Sequence, residues 1–214
     1  MHLSEARVAG SAQKEETMQL QDRRTRTLIS ALLVCLLMPG AVALAQEHSS
    51  AATATPANPL TEHSKSVYSG LKMIVLRAAE STPEENYGFR PTEAVRTFGQ
   101  IVGHMADAQY TFCSVARGEA NPAPKVEKTK ASKADLIAAL RDAFVYCDKA
   151  YEGMTDASGA ELVKFHWGDT PRLGILNVNE IHTTEHYGNL VTYMRMKGLV
   201  PPSSAPEFMK ELMK

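Results

Sequence analysis

The chain has 214 residues and a formal net charge of −1, from 23 basic and 24 acidic side chains. Setting aside a leader at residues 1–45 removes five of the basic and four of the acidic residues and leaves a net charge of about −2. No basic block survives, which excludes a nucleic-acid surface, and the remaining length suits one domain with an adequate core.

The leader is read from its parts. Arg23, Arg24 and Arg26 precede an apolar run over 28–37, Pro39 and Gly40 break the run, and Ala43-Leu44-Ala45 supplies an A-x-A cleavage site. The pattern predicts a signal peptide cut after Ala45 and a periplasmic or secreted product. The apolar run is shorter than the roughly 20 residues that a membrane span needs, so no stable anchor is expected after cleavage. The first 17 residues are long and polar for the start of a signal, which makes Met18 an alternative start. Residues 46–58, with SSAATATPANP, read as a flexible linker, and 59–214 as the folded domain.

Four amphipathic helical patterns cover most of that domain, and no strand-like alternation competes with them. The first spans 60–81, with Val67, Leu71, Ile74, Val75 and Ala78 on one face and Pro83 as its stop. The second opens at Thr97, three residues before Gln100 in a capping box, and Gly118 closes it. Its apolar stripe is Phe98, Ile101, Met105, Ala108, Phe112 and Val115, and His104 falls inside it. A proline- and lysine-containing crossover, NPAPKVEKTKA from Asn121, leads to a third helix from Ser132, whose buried face is Leu136, Leu140, Ala143, Phe144, Cys147 and Tyr151. A loop carrying Phe165, His166 and Trp167 precedes the fourth helix, which Thr170-Pro171 open with proline at the first helical position. That helix ends with Arg195 and Lys197 in its last turn, Gly198 just beyond, and Pro201-Pro202 after that. Residues 205–214 are read as a short terminal helix. The expected fold is all-α, a four-helix bundle with a long crossover between helices 2 and 3.

His182 and His186 are four residues apart, so their imidazoles leave one face of the fourth helix a turn apart. With His104 on the core-facing stripe of the second helix, they make a candidate three-imidazole metal site. Neutral imidazole suits zinc, nickel, copper or ferrous iron, and three such ligands leave positions open for water or substrate. Surface or core histidines satisfied by other partners are the alternative. His182-Thr183-Thr184-Glu185-His186 also reads H-x-x-E-H, the inverted zincin pattern, with Glu185 as general base. Such a peptidase needs a third ligand well downstream, and only 28 residues follow His186. Asp107, one turn after His104, is either an acid that orients an imidazole or an exposed helix acid. His166 and Trp167 line a pocket mouth or cover a core, and Tyr110, Tyr187 and Tyr193 are possible hydrogen-bond donors near the site. Cys113 and Cys147 sit on neighbouring helices as a disulfide or as two buried thiols.

YGFRPTEAVRTFGQIVGHMADAQYTFC and IHTTEHYGNLVTYMRMKGLVPPS together resemble the DinB/YfiT-like family over nearly the whole mature chain. The resemblance implies a four-helix bundle whose divalent metal (Zn, Ni or Fe) is held by one histidine of the second helix and an H-x3-H pair of a later one, here His104, His182 and His186. The family's usual H-R-G-Q appears as His186-Tyr187-Gly188-Asn189, so Tyr187 and Asn189 depart from it, whereas Tyr193 to Pro202 matches Y-x-R-x-x-G-x-x-P-P. Characterised relatives include thiol-dependent transferases and isomerases, and export weakens the thiol branch for this chain. The resulting expectation is an exported metal-dependent transferase or hydrolase acting on a small molecule, with a homodimer as a possible assembly. A non-enzymatic metal-binding or stress-associated bundle is the alternative, and the H-x-x-E-H zinc peptidase a third reading.

Overall fold

The computed structural model describes residues 56–122 and 125–212. The signal peptide expected at 1–45 and residues 46–55 of the linker expected at 46–58 lie outside the described residues. Four long helices carry the domain: α1 (Pro59–Ser81), α2 (Phe98–Arg117), α4 (Lys133–Glu152) and α6 (Arg172–Met196). Single-turn helices α3 (Val126–Thr129) and α5 (Asp156–Gly159), 3-10 turns at Glu84–Asn86 and Pro202–Ser204, a hairpin of β1 (Leu162–Phe165) and β2 (Gly168–Pro171), and a terminal α7 (Pro206–Leu212) complete the described residues. The fold is all-α apart from that hairpin. Among the described residues no helix is long and apolar enough to cross a membrane.

Helix α2 packs against both α4 and α6, and α1 against the same two from the other side. The core between them holds Phe98, Ile101, Met105, Leu136, Leu140, Phe144, Leu176 and Leu190, all almost fully buried. The expected capping box is present at α2, where Thr97 accepts from the Gln100 amide and Gln100 accepts from the Thr97 amide. Gly118 ends α2 in the left-handed region at φ 70°, a conformation glycine adopts without the Cβ penalty. Helix α6 ends as its sequence predicts: Gly198 has φ 72°, and the Leu199 amide donates back to the Met194 carbonyl at 2.9 Å.

Three expectations change. The buried face of α1 is Thr61, Ser64, Tyr68, Val75, Ala78 and Ala79, while Val67 is 39% exposed. Tyr68 takes the inward place because it brings apolar area together with a hydroxyl that donates to the Phe144 carbonyl and to Asp148, each at 3.0 Å. Its ring stacks on Tyr151 at 4.0 Å. The loop expected before the fourth helix is an antiparallel hairpin, with Phe165 paired to Gly168. Strands of four residues are too short for alternation to reveal them. Pro171 is consequently the cap of α6 and the last residue of β2, not the first helical residue. Lastly, the crossover contains α3, one turn of helix inside the stretch read as a loop.

A buried polar ladder sets the register of α2 against α6. The Gln109 amide donates to Thr183 Oγ1 at 3.0 Å and accepts from Asn179 Nδ2 at 2.8 Å, with all three residues almost completely buried. These two buried hydrogen bonds favour one alignment, since any slip breaks them both in a low-dielectric interior. Beside the ladder, Cys113 of α2 is disulfide-bonded to Cys147 of α4, with 5.2 Å between the Cα atoms. The bond closes a loop of 34 residues, and the unfolded-chain entropy it removes corresponds to about 3–4 kcal/mol. The double variant Cys113→Ala, Cys147→Ala is expected to lose stability of that order in urea unfolding. A midpoint unchanged from the parent would show that the bond does not tie the helices together.

Candidate metal centre

His104 comes from the middle of α2, and His182 and His186 from the middle of α6, where the ladder holds the two helices in register. The three side chains meet. Nε2 of His182 lies 3.1 Å from Nε2 of His104 and 3.1 Å from Nε2 of His186. One potential ligand atom from each histidine lies within 4.8 Å of the others.

The outer nitrogens decide what the inner ones can do. Nδ1 of His104 faces Oε2 of Glu127 at 3.3 Å, and Nδ1 of His186 faces Oδ1 of Asn189 at 3.4 Å. Carboxylate and amide oxygens accept, so both Nδ1 atoms carry the proton, and both Nε2 atoms turn lone pairs toward the centre. His182 Nε2 can donate a single hydrogen to one of those two lone pairs. The other 3.1 Å contact then has no hydrogen of its own. A cation satisfies all three nitrogens at once. Two imidazole nitrogens about 2.0–2.1 Å from a tetrahedral cation stand about 3.4 Å apart, close to the spacing observed. The donor set therefore fits a divalent ion.

Electrostatics favour the same state. Burial, then the charges of Arg96 and His186, holds the His104 pKa below the usual imidazole value, against a partial counter-effect of Glu127. Burial and the neighbouring His186, His104 and Arg96 push His182 down to about 4. Neutral imidazole is the ligating form, so both shifts keep the nitrogens available at neutral pH.

Glu127 was not legible as a site residue, and its placement depends on Asp107. Asp107 does not touch an imidazole. Its carboxylate accepts from the Val126 amide at 2.7 Å and the Glu127 amide at 3.0 Å, capping α3 from the side of α2. Lys125, at φ 59°, turns the chain so that those amides face α2. Gly103 makes the approach possible: a Cβ there would lie 2.8 Å from the Glu127 Cα. Glu127 then bridges His104 and the Arg96 Nε, which donates to its other oxygen at 2.9 Å.

On the α2 N-terminal side of the histidines lies a cavity of about 820 Å³, lined by Arg96, Gln100, Glu127, Glu185, His186, Asn189 and Tyr193 among others. Glu185 is exposed along this cavity. The Tyr193 hydroxyl donates to the Arg96 carbonyl at 3.0 Å, whereas Tyr187 accepts from the Ser203 amide and Tyr110 rests against Tyr146. On the opposite side Phe112 meets the His182 ring at 5.5 Å and the Phe165 ring at 5.9 Å. His166 and Trp167 pack on Phe165 at the hairpin turn, so they extend an aromatic wall behind His182 and do not line the cavity.

The model of the DinB superfamily matches residues 71–190. Among solved structures, the chain is similar to a DinB-like protein from Bacillus cereus ATCC 10987, at 18% identity and TM-score 0.57 over 63% of this chain and 91% of that one. It is also similar to the DinB-like protein YjoA from Bacillus subtilis, at 18% identity and TM-score 0.53 over 64% and 92%. No curated protein matches the chain.

Two predictions arise from the site. Replacing Glu127 by Ala frees the His104 ring and is expected to weaken zinc binding about 10- to 100-fold in a chelator competition. An unchanged affinity would remove Glu127 from the site. In the metal-free protein, the folded state binds fewer protons at His104 and His182 than the unfolded chain does. Stability contributed by these neutral imidazoles is thus fully present above about pH 6.5 and falls as pH drops toward 4. Urea midpoints should decline over that window, and the decline should flatten in His182→Gln; equal slopes would contradict the assignment.

Proposed function

The chain belongs to the DinB superfamily, and from the convergence of three imidazole nitrogens we propose that it is an exported metal-dependent enzyme, a transferase or hydrolase of a small molecule. His104, His182 and His186 would hold the divalent ion. The observation that carries this reading is the pair of 3.1 Å contacts at His182 Nε2, which neutral imidazoles alone cannot both satisfy. A bound ion would supply Lewis acidity beside the cavity that His186 lines.

The chain's own residues do the rest. Glu127 and Asn189 fix the tautomers and ring planes of His104 and His186. Phe112 and the hairpin aromatics close the side behind His182 and keep water from it, which strengthens charge interactions within. The cavity on the other side admits a molecule of small-metabolite size. Its lining supplies a base in Glu185 and donors in the terminal N–H groups of Arg96. The third nitrogen comes from His104, upstream, which supports the small-molecule reading over an H-x-x-E-H peptidase. Export rests on the segment over 1–45, and a buried disulfide suits an oxidising compartment.

Protein purified without an affinity tag is expected to contain about one equivalent of divalent metal by elemental analysis. His104→Ala should lower that below a tenth while the helical circular-dichroism signal persists. A wild-type protein with less than a tenth of an equivalent, unchanged by the substitution, would overturn the proposal.

A further inference from the structure

Beside the three histidines stands a cationic group whose hydrogen-bonding capacity is only partly used. Arg96 is fixed at both ends: its carbonyl accepts from Tyr193, and its Nε donates to Glu127. Its two terminal nitrogens make no hydrogen bond among the described residues, and the side chain lines the cavity. Glu127 already offsets this guanidinium on the side of His104, and the pairing holds its terminal N–H groups beside the cavity with none of the described residues bound to them.

Charge counting identifies the anion. Three neutral imidazoles bring no charge to a divalent ion. The charged side chains lining the cavity are Arg96, Glu127 and Glu185. With the ion in place the set carries one net positive charge. A monoanion brings it to zero, whereas a phosphate dianion would leave it negative and face two carboxylates with one guanidinium. The planar pair of terminal N–H groups matches a carboxylate's two oxygens.

We infer that the cavity seats a small carboxylate monoanion, held by the terminal N–H groups of Arg96 next to the three-imidazole site. This rests on the divalent-ion reading above. Glu185 lines the same cavity with the opposite charge, which disfavours dianions.

The test is a visible-spectrum titration of the cobalt(II)-loaded protein with acetate and, separately, with inorganic phosphate. Acetate should change the spectrum saturably and at lower concentration than phosphate. Arg96→Gln, kept saturated with cobalt, should raise the half-saturating acetate concentration by at least about tenfold, the size of one charge-assisted pair. Glu185→Gln should narrow the preference for acetate over phosphate. An Arg96→Gln protein that titrates like the parent, or tighter binding of phosphate than of acetate by the parent, overturns the inference and leaves the metal reading standing. A parent protein that retains no cobalt overturns both, and the cobalt content separates that failure from the others.

Discussion

The short contact between Asp107 and the first amides of α3 is the interaction on which the site's geometry depends. It draws a one-turn helix onto α2 at Gly103, and the closeness of that approach leaves no room for a side chain. Without the cap, a four-residue helix has no internal stability to speak of, since helix nucleation is unfavourable and its amides lack partners. With it, Glu127 reaches the outer nitrogen of His104 and the guanidinium of Arg96 together. One carboxylate thus sets a ring plane on one side and aims a cation into the cavity on the other.

The remaining order comes from the helix pair itself. Gln109, Asn179 and Thr183 fix how far α2 is slid along α6, and this puts His104 opposite His182 and His186. The disulfide ties α2 to α4 beside the same ladder, so the helix carrying His104 is restrained from two directions. Burial keeps the His104 and His182 rings neutral, and a cluster held in place by its neighbours is pre-organised for a cation, losing little freedom when one binds.

The helices and the three histidines could be read from the sequence for one physical reason: both show in helical periodicity. His182 and His186 share a face by spacing alone, and His104 betrays itself as a polar residue in an apolar stripe. The caps at Thr97 and Gly198 are equally local signals. Glu127 is not, because its role arises from a contact across 20 residues in a stretch rich in proline and lysine, where no period exists. Asp107 was recognised as an acid near His104, but its partner amides belong to that same unreadable stretch. On the inward face of α1, Val75 and Ala78 are buried as expected, but Tyr68 is a further inward residue because its hydroxyl is satisfied through Phe144 and Asp148, residues about 80 positions away. The hairpin is invisible for want of length, and the cysteine pair could be settled only once the spacing of α2 and α4 was known.

Extended X-ray absorption fine structure, recorded at the edge of the metal in the tag-free protein, addresses the three-imidazole site most directly. A first shell containing three imidazole nitrogens at about 2.0–2.1 Å, with the outer-ring scattering of histidine, is the result that follows from the convergent Nε2 atoms. A shell of oxygen atoms alone, without histidine scattering, would contradict it.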